Sequence, residues 1–160
     1  MADIKSKNKM LTHYFGATVP YGNQSVLTYY INTNATGALI DSDKATAVAT
    51  GDVIDVGELP EGFCMTDAQV FVMTGMTTTA TASLGFMYED GIDDDDVPQD
   101  AAYFLKAGAN VATAGRLRAD GSKLVILPKP ARLIMTMAGA SNAKASSIRI
   151  AVSGELTGSK

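Results

Sequence analysis

A chain of 160 residues with a formal net charge of -4 has the length of one domain, enough to close a core without metal or disulfide staples. With 13 Lys and Arg against 17 Asp and Glu, it lacks the cationic excess that nucleic-acid binding requires. A hydrophobic fraction of 46% excludes wholesale disorder, and the single Cys, Cys64, excludes an intrachain disulfide.

The first segment, Met1 to Lys9, is polar, with Lys5, Lys7 and Lys9 spaced by Ser6 and Asn8. It reads as an extended arm, for which Ile4, Met10 and Leu11 supply apolar anchors against a neighbouring subunit. The segment lacks the apolar stretch of a signal peptide, and no later window approaches the roughly 20 apolar residues of a membrane span.

From Leu11 onward the apolar pattern has period two, the signature of half-buried strands. Short runs at Val26–Ile31, Val53–Leu59 and Ala68–Met73 predict strands, with Asp55 facing solvent between inward Ile54 and Val56. Ala82, Leu84, Phe86 and Tyr88 then alternate with Thr81, Ser83 and Gly85. Asp100 to Gly108 fits either a helical turn or two, capped by Asp100 and stopped by Gly108, or another strand. Leu124–Leu127 follows, then Ala131, Leu133, Met135 and Met137 alternating with Arg132, Ile134 and Thr136. Ile148, Ile150 and Val152 close the series, opposite Ser147, Arg149 and Ser153.

Turn residues punctuate these runs at Tyr21-Gly22-Asn23, Thr50-Gly51-Asp52, Pro60-Glu61-Gly62, Ala119-Asp120-Gly121 and Pro128-Lys129-Pro130. The pattern predicts an all-β protein: a single antiparallel β-sandwich, jelly-roll-like, with an extended N-terminal arm. Residues 1–10 form the arm, 11–156 the sandwich and 157–160 a tail. The expected core contains Leu84, Phe86, Leu133, Met135, Ile148, Ile150 and Val152.

Nothing in the residues assembles a catalytic set. The one histidine, His13, lies between Thr12 and Tyr14 in a strand-like run and reads as structural, since imidazole catalysis needs an orienting carboxylate and a nucleophile close by in space. A zinc site needs more His or Cys ligands than one of each. Phosphate-loop, dinucleotide, nucleophile-elbow and zincin motifs are absent. Cys64, between Phe63 and Met65, reads as a small core hydrophobe. Asn34-Ala35-Thr36 matches a glycosylation sequon by chance, since no secretory signal accompanies it. The expectation is a non-enzyme without cofactors or a small-molecule substrate.

One cluster could carry chemistry: Glu89, Asp90, Asp93, Asp94, Asp95, Asp96 and Asp100 crowd a single loop. Ca²⁺ takes six to eight oxygens from such loops, making Asp93, Asp94, Asp95 and Asp96 candidate ligands. Their spacing departs from the EF-hand pattern. The loop reads instead as solvated or facing a basic partner, with Asp93 and Asp95 as contacts. A glycosidase would need two acids held across a cleft, which one loop does not provide.

A succession of short motifs adds a resemblance. Gly51-Asp52-Val53-Ile54-Asp55-Val56-Gly57-Glu58-Leu59-Pro60-Glu61-Gly62 is followed by Thr66-Asp67-Ala68-Gln69-Val70 and Ser83-Leu84-Gly85-Phe86. Tyr103-Phe104, Leu127-Pro128-Lys129-Pro130 and the strand from Ile148 to Val152 complete it. This order resembles the head decoration (cement) proteins of tailed bacteriophages, over roughly residues 45 to 155. The resemblance implies a structural virion protein on the outer capsid surface, assembled in the host cytoplasm and cementing neighbouring capsomers. Its implied partners are the major capsid protein and further copies of itself, as a homotrimer or alternatively a homodimer, with no nucleic acid or membrane. No functional residue transfers with it. The alternative is a phage fibre, adhesion or carbohydrate-binding sandwich, which the same architecture also hosts.

Overall fold

The computed structural model describes residues 3–5, 24–120 and 123–157. Ten strands appear in chain order: β1 (Asp3–Lys5), β2 (Gln24–Thr33), β3 (Val53–Leu59), β4 (Phe63–Thr74) and β5 (Thr81–Tyr88), then β6 (Asp100–Asn110), β7 (Gly115–Arg118), β8 (Val125–Ile126), β9 (Ala131–Ala138) and β10 (Ser146–Leu156). They form two sheets. The first runs β1-β3-β9-β5-β6, and the second runs β2-β10-β4-β7 with β8 also on β4. Every pairing is antiparallel except that of β1 with β3. This is the all-β sandwich that the alternation predicts, and no helix occurs among the described residues.

The two inner faces meet in one core. Leu84, Phe86, Leu133 and Met135 from the first sheet and Ile148, Ile150 and Val152 from the second are all buried, as their spacing predicts. Along β10, Ile148, Ile150 and Val152 lie opposite Ile31, Tyr29 and Leu27 of β2 and Val72, Val70 and Ala68 of β4. Because Ile150 is fully buried at the centre of this strand, Ile150→Val is expected to cost about 0.5–1.5 kcal/mol in urea unfolding. No measurable change would place it outside the core.

Two features depart from the sequence expectation, and one open choice is decided. Asp100 to Gly108 lies in a strand, the second of its two readings, and β6 pairs with β5 through two register shifts. β7 carries no alternation that would reveal it: Gly115 and Arg116 are exposed and Leu117 only half-buried. Asp55, expected at the solvent, is completely buried. It points away from the inter-sheet core, but that outer face is itself covered: Ile134, opposite Asp55 across the β3–β9 pair, is buried too. Arg132 reaches Asp55 at 3.3 Å and supplies the charge the carboxylate needs there.

Two glycines are fixed by close packing. A Cβ at Gly57 would lie 2.4 Å from the Tyr29 ring, which crosses from the second sheet and donates its hydroxyl to the Glu58 carbonyl at 2.5 Å. A Cβ at Gly85 would lie 1.9 Å from the Asp100 carbonyl oxygen, because the start of β6 folds over β5 there. A buried polar cluster ties together the loops at one end. Asn142 donates to Thr33 and to the Lys144 carbonyl and accepts from the Thr77 amide, while Thr33 pairs with Ser146 at 2.8 Å. Its members satisfy one another, which makes burial tolerable.

Ile4 lies in β1, where its backbone is in register with Ile54. Met10, Leu11 and His13, like the turn at residues 21–23 and the tail residues 158–160, fall outside the described residues. Thr157 bonds through its amide and hydroxyl to the Gly62 carbonyl, both at 2.8 Å.

Candidate interaction surfaces

The acidic cluster occupies the connection from β5 to β6, and its carboxylates organise their own backbone. Asp93 accepts from the amides of Asp94 (2.9 Å) and Gln99 (2.8 Å). Asp94 accepts from Asp96 and Val97, and Asp90 accepts from Ile92. These short-range side-chain caps are what Asp does best in turns. Lys129, from the turn before β9, clamps the loop from outside. Its Nζ contacts Asp90 at 2.8 Å and the Ile92 carbonyl at 2.7 Å, and lies 4.6 Å from the Tyr88 ring centre. The Tyr88 hydroxyl donates to the Val97 carbonyl at 2.5 Å. Burial first, then Asp94, Asp93 and Asp90, push that phenol up to about 12, so it stays a donor at working pH.

The Lys129 hydrogen bond, then the Ile92 amide, hold the Asp90 carboxyl below the usual carboxylate range. A depressed acid stabilises the closed loop above its ordinary titration range. That contribution is lost as pH falls through the lowered value.

Asp95 and Asp96 remain exposed, with no side-chain partner among the described residues. Asp93 therefore shapes the loop, while Asp95 faces outward. No group of three or more His, Cys, Asp or Glu among the described residues is arranged to hold a metal ion. Calorimetric titration with Ca²⁺ is accordingly expected to give no saturable micromolar heat. A heat that vanished on changing Asp93–Asp96 to Asn would establish the calcium site instead.

Beside the loop runs a groove of about 810 Å³, with Phe86, Tyr103 and Val125 among its apolar walls and Asp100, Lys106 and Lys123 among its polar ones. Phe86 and Tyr103 meet edge to face at 5.5 Å. Lys106 is held by Asp120 at 2.7 Å, which raises its pKa. Cys64 is buried, and burial, then Glu155, pushes its thiol pKa up, the opposite of an activated nucleophile.

The second sheet presents a surface that sequence inspection misses. Its outward residues form a cross-strand row: Arg149 stands opposite Tyr30 on one side and Phe71 on the other, and Phe71 stands opposite Arg116. The next row brings Gln69 beside Arg118, which pairs with Asp67 at 3.3 Å. Exposed Val26, Tyr30 and Met73 extend the apolar part of this face.

No protein-family model matches the chain, and no curated protein matches it. Solved structures do. A chain in the capsid of Ralstonia phage GP4 superposes with a TM-score of 0.65 at 17% identity, covering 98% of this chain and 99% of that one. A chain in the capsid asymmetric unit of cyanophage Pam1 gives a TM-score of 0.55 at 17% identity, covering 93% and 96%. The β-sandwich of this protein is therefore a fold that phage capsids also use.

Proposed function

We propose that this chain is a structural protein of a tailed-phage virion that decorates the outer capsid surface and cements neighbouring capsomers of the major capsid protein. The observation that carries this reading is the end-to-end likeness to the GP4 capsid chain, in which 98% of one matches 99% of the other. The motif succession from Gly51 to Val152 points the same way, and a binding role fits a molecule whose distinctive features lie on its surface.

A packaged head is loaded from within, so a protein that bridges capsomers adds contact energy where the shell would part. The bridge is expected to involve further copies of the chain, as a homotrimer or alternatively a homodimer. Particles assembled without the protein are expected to form, yet to release DNA at a lower temperature than complete particles. Adding purified protein back should restore the resistance. Equal robustness with and without the chain would sink this reading.

A second reading, an adhesion or carbohydrate-binding module, draws on the exposed Tyr30 and half-buried Phe71 on one sheet face. Glycan binding lost on Tyr30→Ala, with unaltered particle stability, would favour it.

A further inference from the structure

The outer face of the second sheet is electrostatically at odds with the rest of the chain. The whole carries a net charge of -4, yet this face gathers Arg116, Arg118 and Arg149 around Tyr30 and Phe71. The carboxylate of Asp67 is taken by Arg118. Neither Arg116 nor Arg149 makes an ion pair among the described residues. The Arg116 guanidinium lies 5.9 Å from the Phe71 ring centre. A guanidinium lying against a ring keeps its N–H edge free for a carboxylate, and flanking rings exclude the water that would weaken such a pair.

The complement is on the same molecule, in the loop joining β5 to β6 of the other sheet. That loop is braced by Asp90, Asp93, Asp94 and Lys129. It presents Asp95 and Asp96 outward on a shape already fixed, so little ordering cost attends their capture. None of the three arginines pairs with the loop of its own chain.

We infer that the Tyr30–Arg149–Phe71–Arg116 face binds the acidic loop of a second copy of this chain, with Asp95 and Asp96 meeting Arg149 and Arg116. A long polyanion is a poorer occupant, since a chain with a net charge of -4 repels it as a whole. Because the two surfaces differ, the contact either occurs twice across a two-fold axis or repeats from copy to copy around a ring. This names the surfaces behind the self-association in the reading above, and it does not depend on attachment to a shell.

The test is sedimentation velocity of the purified full-length chain over a range of concentration and salt. Association is expected, and raising NaCl from about 0.05 to 0.5 M should weaken it. Arg149→Glu, or Asp95→Arg with Asp96→Arg, should each weaken it at least about tenfold. Adding Arg116→Glu to these three substitutions, so that both arginines and both aspartates are exchanged, should restore it. All four positions are exposed, and thermal melts of each variant check that folding is unchanged. A chain that stays monomeric, an association indifferent to salt, or a combined variant that fails to recover would overturn the inference. Binding of the Arg149→Glu variant to particles lacking the protein is scored separately, so failure of self-association and failure of the capsid reading give different results.

Discussion

Gly85→Ala is expected to remove most of the stability of the folded state, on the order of 4–5 kcal/mol in urea unfolding. The added methyl would lie 1.9 Å from the Asp100 carbonyl oxygen, 2.4 Å from the Ala101 carbonyl carbon and 2.7 Å from the Ala102 amide nitrogen. All three are backbone atoms, so no side chain can rotate away. Overpacking that flexible neighbours absorb costs about 1–3 kcal/mol. Here the start of β6 must lift from β5, which also disturbs the acidic loop that leads into it. Gly115→Ala is the control: nothing lies within 4 Å of the added methyl, and the backbone conformation there is not left-handed. A Gly85→Ala variant within about 0.5 kcal/mol of the parent would show that β6 does not fold over β5 as described.

The second large effect is expected at Arg132. Its Nη1 lies 3.3 Å from Asp55, whose side chain is wholly inaccessible while that of Arg132 is 17% exposed. Arg132→Met keeps much of the volume and removes the charge, leaving the carboxylate to bear its burial with less compensation. Breaking a buried pair from one side costs about 3–5 kcal/mol. The pair as a whole need not be stabilising, because desolvating two ions consumes much of their attraction. The double variant Asp55→Leu with Arg132→Met should therefore recover most of the loss. If Arg132→Met alone were neutral in chemical denaturation, Asp55 would not depend on the guanidinium.

The same two positions mark how far the sequence could be read. Period-two alternation located β5, β9 and β10, and short apolar runs located β2, β3 and part of β4, because each has one face in the inter-sheet core. Leu84, Phe86, Leu133 and Met135 could be named from spacing alone. The assignment of Asp55 to solvent failed because alternation reports only which face a residue takes, not whether that face is covered elsewhere. A register shift between Asp55 and Gly57 in the β3–β9 pairing blurs the period further. Asp100–Gly108 was ambiguous because Ala, Leu and Lys favour a helix locally, whereas pairing with β5 makes the segment a strand.

The acidic loop was visible as a run of like residues. What each carboxylate does was not: Asp93 and Asp94 bond backbone amides, and only the folded loop separates them from outward Asp95 and Asp96. The Arg–aromatic face was invisible for a different reason. Tyr30, Phe71, Arg116 and Arg149 belong to four strands, and only their register makes them neighbours.

The order of strands within the sheets has a consequence for synthesis. β2 pairs along its whole length with β10, from Gln24 opposite Glu155 to Thr33 opposite Ser146, and β3 pairs with β9. A ribosome releases β2 and β3 long before their partners exist. Such distant pairings fold slowly, since a large loop must close before any contact rewards it. Until residue 146 emerges, Gln24–Thr33 is a ten-residue strand without a charge or a proline, the kind of segment that pairs with the wrong chain. Nascent chains ending between β4 and β9 should therefore aggregate, and release of the C-terminal strand should coincide with the step at which the second sheet becomes protected from hydrogen exchange.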